Sequence, residues 1–215
     1  MVIKMESDIP QFVDSSINKL LRLESNLRRL GYKFANPEGP IMLIPPGTSA
    51  SLHKLCNEFE GIPALFFEWY DRLEYVDFRQ CASQLLSPSQ DATAGLGLNC
   101  SLVFEPLSQY SYRQKVLEAN GCQCKNSKGQ EFIPIGCNAS NCMPKGVWLP
   151  DLSIDPDLYD AGVGPVSMAT EILRAIQAGG FPFWQHQFSK RRFTSPISNT
   201  PRYLDILPQL MEGVL

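Results

Sequence analysis

A chain of 215 residues with 44% apolar and 19% charged side chains has enough apolar material for a packed core and too little charge for a disordered segment. Its 22 acidic and 19 basic residues leave a net charge of -3, so no general attraction draws it to a phosphate backbone, and nucleic acid is not an expected partner. No run approaches the roughly 20 apolar residues of a membrane span, and Met1 to Phe12 lacks the apolar stretch of a signal peptide.

The first expected element is a helix from Pro10 to Leu30. Asp8 suits its N-cap and Pro10 its first turn. Val13, Ile17, Leu20, Leu21, Leu27 and Leu30 recur at helical spacing, and Gly31 provides the stop. Tyr32 to Phe34 is a short strand candidate. Ile41 to Ile44 is an apolar run of strand length, ended by Pro45-Pro46-Gly47. A second helix is expected from Ala50 to Phe59, capped by Ser49 or Ser51, with Leu52, Leu55, Cys56 and Phe59 inward. A third begins at Pro63 and runs to Leu73, with Leu65, Phe66, Trp69, Tyr70 and Leu73 on one face. Tyr75 to Phe78 then alternates like a strand.

Ser83 to Asn99 is rich in Ser, Gln, Gly and Ala without periodicity, and reads as a long surface loop. Leu102 to Phe104 reads as a strand and Tyr112 to Ala119 as a weak helix. Glu131 to Ile135 and Val147 to Leu149 read as two more strands around a turn-rich segment. Asp151 to Gly164 reads as an acidic loop. A late helix spans Ser167 to Ala178 with Met168, Ile172 and Ile176 inward, and Gly179-Gly180 ends it. A short helix lies near Tyr203 to Met211. No repeat or linker divides the chain, so a single α+β domain over residues 1–215 is expected. Helices and strands mix without regular βαβ alternation.

Several constellations carry candidate chemistry. Cys122, Cys124, Cys137 and Cys142 form a C-x-C and a C-x4-C pair, and four converging thiolates would hold a structural zinc. The Cys122–Cys124 spacing is too close for a standard zinc knuckle, so ordinary thiols and no metal or cofactor are the expectation. With seven cysteines, an odd number, and no expected export, thiols in the cytoplasm are favoured over disulfides. The only histidines, His53 and His186, adjoin no recognisable nucleophile motif, and no G-x-S-x-G elbow occurs. Asp151, Asp155, Asp157 and Asp160 lack the central glycine and distal glutamate of a calcium loop. Gly95-Leu96-Gly97 lacks the third glycine of a dinucleotide fingerprint and the lysine of a P-loop. Phe67 falls off the buried face of the aromatic helix and, with Phe183 and Trp184, is a candidate binding anchor.

The order of these segments resembles the SUKH superfamily, which includes a yeast cell-wall-synthesis regulator and many bacterial toxin-immunity proteins. The resemblance rests on Leu30-Gly31-Tyr32-Lys33-Phe34, Pro45-Pro46-Gly47, Gly61-Ile62-Pro63 followed by Leu65-Phe66-Phe67-Glu68-Trp69-Tyr70, then Val76-Asp77-Phe78, and far downstream Gly179-Gly180-Phe181-Pro182-Phe183-Trp184. Leu73-Glu74 stands where that family carries a glycine-rich turn, and the cysteine segment has no counterpart. The resemblance implies a mixed, mainly antiparallel sheet packed against several helices. It also implies a non-enzymatic protein that binds another protein, typically a toxin that it occludes. The partner-facing candidates are then the Ser83–Asn99 loop and Phe67, Asp151, Asp155, Asp157, Asp160, Phe183 and Trp184, with the acidic stretch suited to a basic toxin. The alternatives are an enzyme of unknown class with an assembled Cys/His/carboxylate site, and a zinc-stabilised structural protein.

Overall fold

A computed structural model describes residues 8–81, 101–137, 144–160, 164–181 and 206–214. The fold is α+β. Helix α1 spans Ile9–Arg29, α2 Ala50–Glu58, α3 Ala64–Tyr70, α4 Tyr110–Ala119 and α5 Met168–Gln177. Residues 206–210 form a further short helix, α6. The strands are β1 Ile41–Leu43, β2 Leu73–Asp77, β3 Val103–Phe104, β4 Glu131–Cys137, β5 Pro144–Leu149, β6 Asp157–Asp160 and β7 Val166–Ser167. They make two small sheets, ordered β1-β2-β3 and β4-β5-β6-β7, where the resemblance implies one. The β1–β2 pairing and every neighbouring pair of the second sheet are antiparallel.

By contact density the chain gathers into two compact units that interleave along the sequence. One comprises Met1–Val13, Ile41–Val76 and Phe104–Thr170; the other comprises Asp14–Pro40, Asp77–Val103 and Glu171–Leu215.

In the first unit, α2 starts as its sequence dictates. The Ser49 side chain accepts the Leu52 amide at 3.3 Å, and Leu52 and Leu55 are fully buried. Such a cap stabilises a helix by about 1 kcal/mol. Helix α3 buries Leu65, Phe66, Trp69 and Tyr70, as its apolar spacing requires. It ends at Tyr70, not Leu73, because Leu73 instead pairs with Leu43 as the first residue of β2.

The acidic stretch after Leu149 differs from expectation. Its second half is strand β6, not loop, paired through Lys145↔Asp160 and Gly146↔Tyr159. Leu158 is 1% exposed while Asp157 and Tyr159 on either side face outward, so the period-2 pattern of a half-buried strand is present over a very short run. Strand β4 holds a bulge. Pro134 pairs with Gly146 and Gly136 with Lys145, so Ile135 is left without a cross-strand partner. A bulge is one of the few places where a strand accommodates proline.

The amides opening α5 are all occupied. Met168 donates to the Pro156 carbonyl, Ala169 to Asp155 Oδ1 and Thr170 to Ser167 Oγ, at 2.9, 2.9 and 3.2 Å. These are the orphan donors that every helix start must satisfy.

In the second unit, α1 buries Ile17, Leu20, Leu23 and Leu27; Leu21 and Leu30, expected inward, are only half-buried. Tyr32 to Phe34, expected as a strand, contributes a single bridge, Phe34↔Gln80. Its side chains instead build an aromatic cluster. Tyr32 meets Phe34 and Phe181 at centroid distances of 5.0 and 5.7 Å, Phe34 meets Phe78 at 5.7 Å, and the Tyr32 hydroxyl donates to the Phe78 carbonyl at 2.6 Å. Buried Asn26 donates to the Leu210 and Glu212 carbonyls, at 2.8 and 3.0 Å, which ties the chain end to α1.

Gly180 closes the cluster. Its φ is +96°, and a Cβ there would lie 2.8 Å from the Phe78 ring. Gly180→Ala therefore meets both backbone strain and a crowded ring. It is expected to lower stability by about 2–4 kcal/mol in urea unfolding. Gly31→Ala, with similar φ but open space around it, should cost roughly 1 kcal/mol.

Candidate functional site

The sequence candidates scatter once they are placed. Phe67 is half-buried on α3. Asp151 is turned to its own turn, where its two oxygens accept from the Ser153 amide and hydroxyl, both at 2.9 Å. Asp155 holds the start of α5. Among the described aspartate side chains of the stretch, only that of Asp157 is exposed, on β6. The backbone of Asp160 pairs with Lys145; its side chain lies outside the described residues. Phe183, Trp184, His186, Cys142 and the Ser83–Asn99 loop also lie outside them.

Two of the cysteine candidates, Cys124 and Cys137, sit at opposite ends of one strand. The Phe132 amide donates to the Cys124 carbonyl at 2.9 Å, so Cys124 lies beside the start of β4, whereas Cys137 is its last residue. Five residues of extended chain separate those positions by roughly 16 Å. Zinc–sulfur bonds are about 2.3 Å long, so one ion cannot draw ligands from both ends. Among the described residues, no group of three or more His, Cys, Asp or Glu could hold a metal. The Cys124 thiol is pushed up by burial first and then by Glu118, Cys122 and Glu131. Burial likewise raises Cys56, which is one helical turn from the exposed His53. Raised thiols are poor nucleophiles.

What the fold does assemble is an aromatic ladder on one face of the second sheet. Phe132 and Trp148 are directly opposed on β4 and β5, and Gly146 opposes Tyr159 on β6. Because alternate residues share a face, Phe132, Trp148 and Tyr159 fall on the same side. Their rings touch in sequence. Phe132 and Trp148 have centroids 5.2 Å apart with planes at 58°, and Trp148 and Tyr159 are 6.2 Å apart at 80°. Such pairs are each worth about 0.5–1.5 kcal/mol beyond burial. Ile133, Val147, Leu149 and Leu158 occupy the opposite, buried face.

Exposure rises along the ladder. Phe132 is 7% exposed, Trp148 is half-buried, and Tyr159 is 40% exposed. Phe132 packs its ring against Gly146, where a Cβ would fall 2.6 Å from that ring and 2.3 Å from the Ile133 carbonyl oxygen. Asp157 stands two residues before Tyr159 on the same face, about 7 Å along the strand. Its carboxylate is exposed, and none of the described cations forms an ion pair with it. Beyond the ladder, Leu152 is 87% exposed just after β5.

The sheet is braced from beneath by a buried polar junction at Glu105. Its amide donates to the bulge carbonyl of Ile135 at 2.7 Å, its carbonyl accepts from the Tyr70 hydroxyl at 3.2 Å, and its carboxylate pairs with Arg113 of α4. Beside it the Tyr110 hydroxyl donates to the Glu58 carboxylate. The Trp69 indole N–H, fully buried against Phe104, has no hydrogen-bond acceptor among the described residues.

Sequence reading missed the ladder because its members belong to three strands, one of which was not recognised. The signal that would have found it is the alternation in Asp157-Leu158-Tyr159-Asp160. No family model, curated protein or solved structure matches the chain. No described helix is long and apolar enough to cross a membrane.

Burial pushes the Tyr70 phenol well above its ordinary value of 10; Arg113 opposes this and Glu74 adds to it. The protonated phenol is thus favoured in the folded chain. Its contribution is full below pH 10, where both states keep the proton, and is lost as pH rises above that, where only the unfolded state releases it. Tyr70→Phe, which also removes the bond to Glu105, is expected to cost about 1 kcal/mol at pH 8. The gap to wild type should narrow in urea titrations above pH 10.

Proposed function

We propose that this chain is a non-catalytic protein-binding module that engages a basic partner through the outer face of its β4–β7 sheet. The observation that carries the reading is the aromatic ladder, with Trp148 half-buried and Tyr159 exposed on a braced sheet. Large aromatic side chains dominate interface energetics because they bury much area with few rotatable bonds. Exposed Asp157 beside them and the chain's net charge of -3 favour a partner of opposite sign. The raised thiols of Cys56 and Cys124 suit structural positions better than nucleophilic ones.

The cytoplasm is the location that fits free thiols. The SUKH resemblance gives this reading a specific form, an immunity protein that occludes a basic toxin. In that form the sheet face takes the anchoring role expected of Phe67, and among the described aspartate side chains of the acidic stretch Asp157 contributes directly.

The test is affinity capture with the full-length chain, using as bait wild type, Trp148→Ala, Tyr159→Ala and Met42→Ala. Met42 is exposed on β1 of the other sheet and serves as the control. A partner, such as a toxin encoded beside this chain, is expected to bind wild type and Met42→Ala alike. Each ladder variant should lose at least about 2 kcal/mol, roughly thirtyfold in affinity. Added salt should weaken binding further. Equal capture by all four proteins would end the assignment of this face.

A further inference from the structure

We propose that the ladder's exposed end is an arginine-reading site, in which a guanidinium of the partner stacks on Tyr159 or Trp148 while its fork engages Asp157. This rests on the protein-binding reading above and names the chemistry of its central contact.

Three observations combine. First, the Trp148 and Tyr159 rings stand 80° apart with centroids at 6.2 Å, so they form a corner, not a flat plate. A planar group laid on the face of one ring has the other ring at its side. Aromatic faces carry negative electrostatic potential, so a cation is the favoured occupant. Second, Asp157 faces the same way from the same strand. At about 7 Å along the strand from Tyr159, its carboxylate lies within reach of a guanidinium stacked on the ring. Third, Asp155 and Asp151, the neighbouring aspartates whose side chains are described, have their carboxylates committed to backbone and serine donors. Among the described residues none makes such a bond to the exposed Asp157 carboxylate, which leaves it for a ligand.

Arginine fits this combination better than lysine. Its guanidinium is planar, weakly hydrated and carries paired donors, so it can stack and bind a carboxylate together. An ammonium is compact and strongly hydrated, and gains less from the ring face.

The experiment uses the full-length chain and defined probes. Acetylated, amidated Gly-Xaa-Gly-Xaa-Gly peptides with Xaa as arginine, lysine or citrulline are titrated while the Trp148 indole N–H signal is followed by NMR, assigned with Trp148→Phe. The arginine peptide is expected to shift that signal and to bind about two- to fivefold tighter than the lysine peptide. Citrulline, planar but neutral, should bind more weakly than either. Tyr159→Leu should abolish the preference for arginine, and Asp157→Asn should weaken arginine binding severalfold. Thermal melts of each variant separate these effects from misfolding. Equal arginine and lysine affinity, or arginine binding unaltered in Tyr159→Leu and Asp157→Asn, would overturn the inference. If the ladder variants lose a protein partner while the peptides show no arginine preference, the binding face stands and only the guanidinium assignment falls. If the arginine peptide binds as described while partner capture ignores the ladder, the site chemistry stands and the protein-binding assignment falls.

Discussion

Glu105 is the point on which the first unit depends. It is 5% exposed, yet each of its polar groups is engaged: the amide by Ile135, the carbonyl by Tyr70 and the carboxylate by Arg113. One residue therefore joins β4, α3 and α4. A charge this deep is tolerated only when paired, and losing one partner of such a pair commonly costs about 3–5 kcal/mol. The contact to Ile135 exists because the β4 bulge leaves that carbonyl without a ladder partner. The bulge and the buried acid are thus a matched set: the irregular strand supplies the acceptor, and the loop after β3 supplies the donor.

That bracing determines what the other face of the sheet can do. With Ile133, Val147, Leu149 and Leu158 buried on one side, Phe132, Trp148 and Tyr159 must point to the other. Gly146 then sets how closely the rings settle. Only a residue without Cβ lets Phe132 lie across the strand, since any side chain at that position would meet both the ring and the Ile133 carbonyl. The ring in turn covers backbone that glycine leaves bare. The row ends in exposed Tyr159 beside half-buried Trp148, and contiguous aromatic surface of this kind is less common than isolated apolar groups.

Much of the fold was legible in the sequence, for a reason that also explains what was not. Helices α1, α2, α3 and α5 announce themselves through local periodicity, and the pairs Leu52/Leu55 and Ile172/Ile176 are buried as their spacing demands. Gly31 and Gly180 both adopt positive φ, as their places after helices require. Strand β6 escaped because its four residues begin and end with aspartate, a composition that reads as loop unless Leu158 is weighed as a buried position. Asp155 looked like part of an acidic surface, but its partner, the Ala169 amide, lies 14 positions downstream. Cys124 and Cys137 look like parts of one cluster in sequence, yet in space Cys124 lies beside the start of β4 and Cys137 is its last residue. In each case the deciding contact is non-local, and residue type alone carries no record of it.

The ladder does two jobs at once, and its burial gradient separates them. Phe132, 7% exposed, is mainly a structural ring, and removing it would disturb the sheet before it disturbed any partner. Tyr159, 40% exposed, packs its ring against Trp148 in a T-shaped pair. A hot spot requires a side chain that is open in the free protein and desolvated in the complex. By that criterion recognition is concentrated at the Tyr159 end, where Asp157 stands, and fades toward β4. The site therefore lies on the face of β6, between β5 and β7, where exposed side chains can be read by a partner while the buried face of the sheet holds the fold.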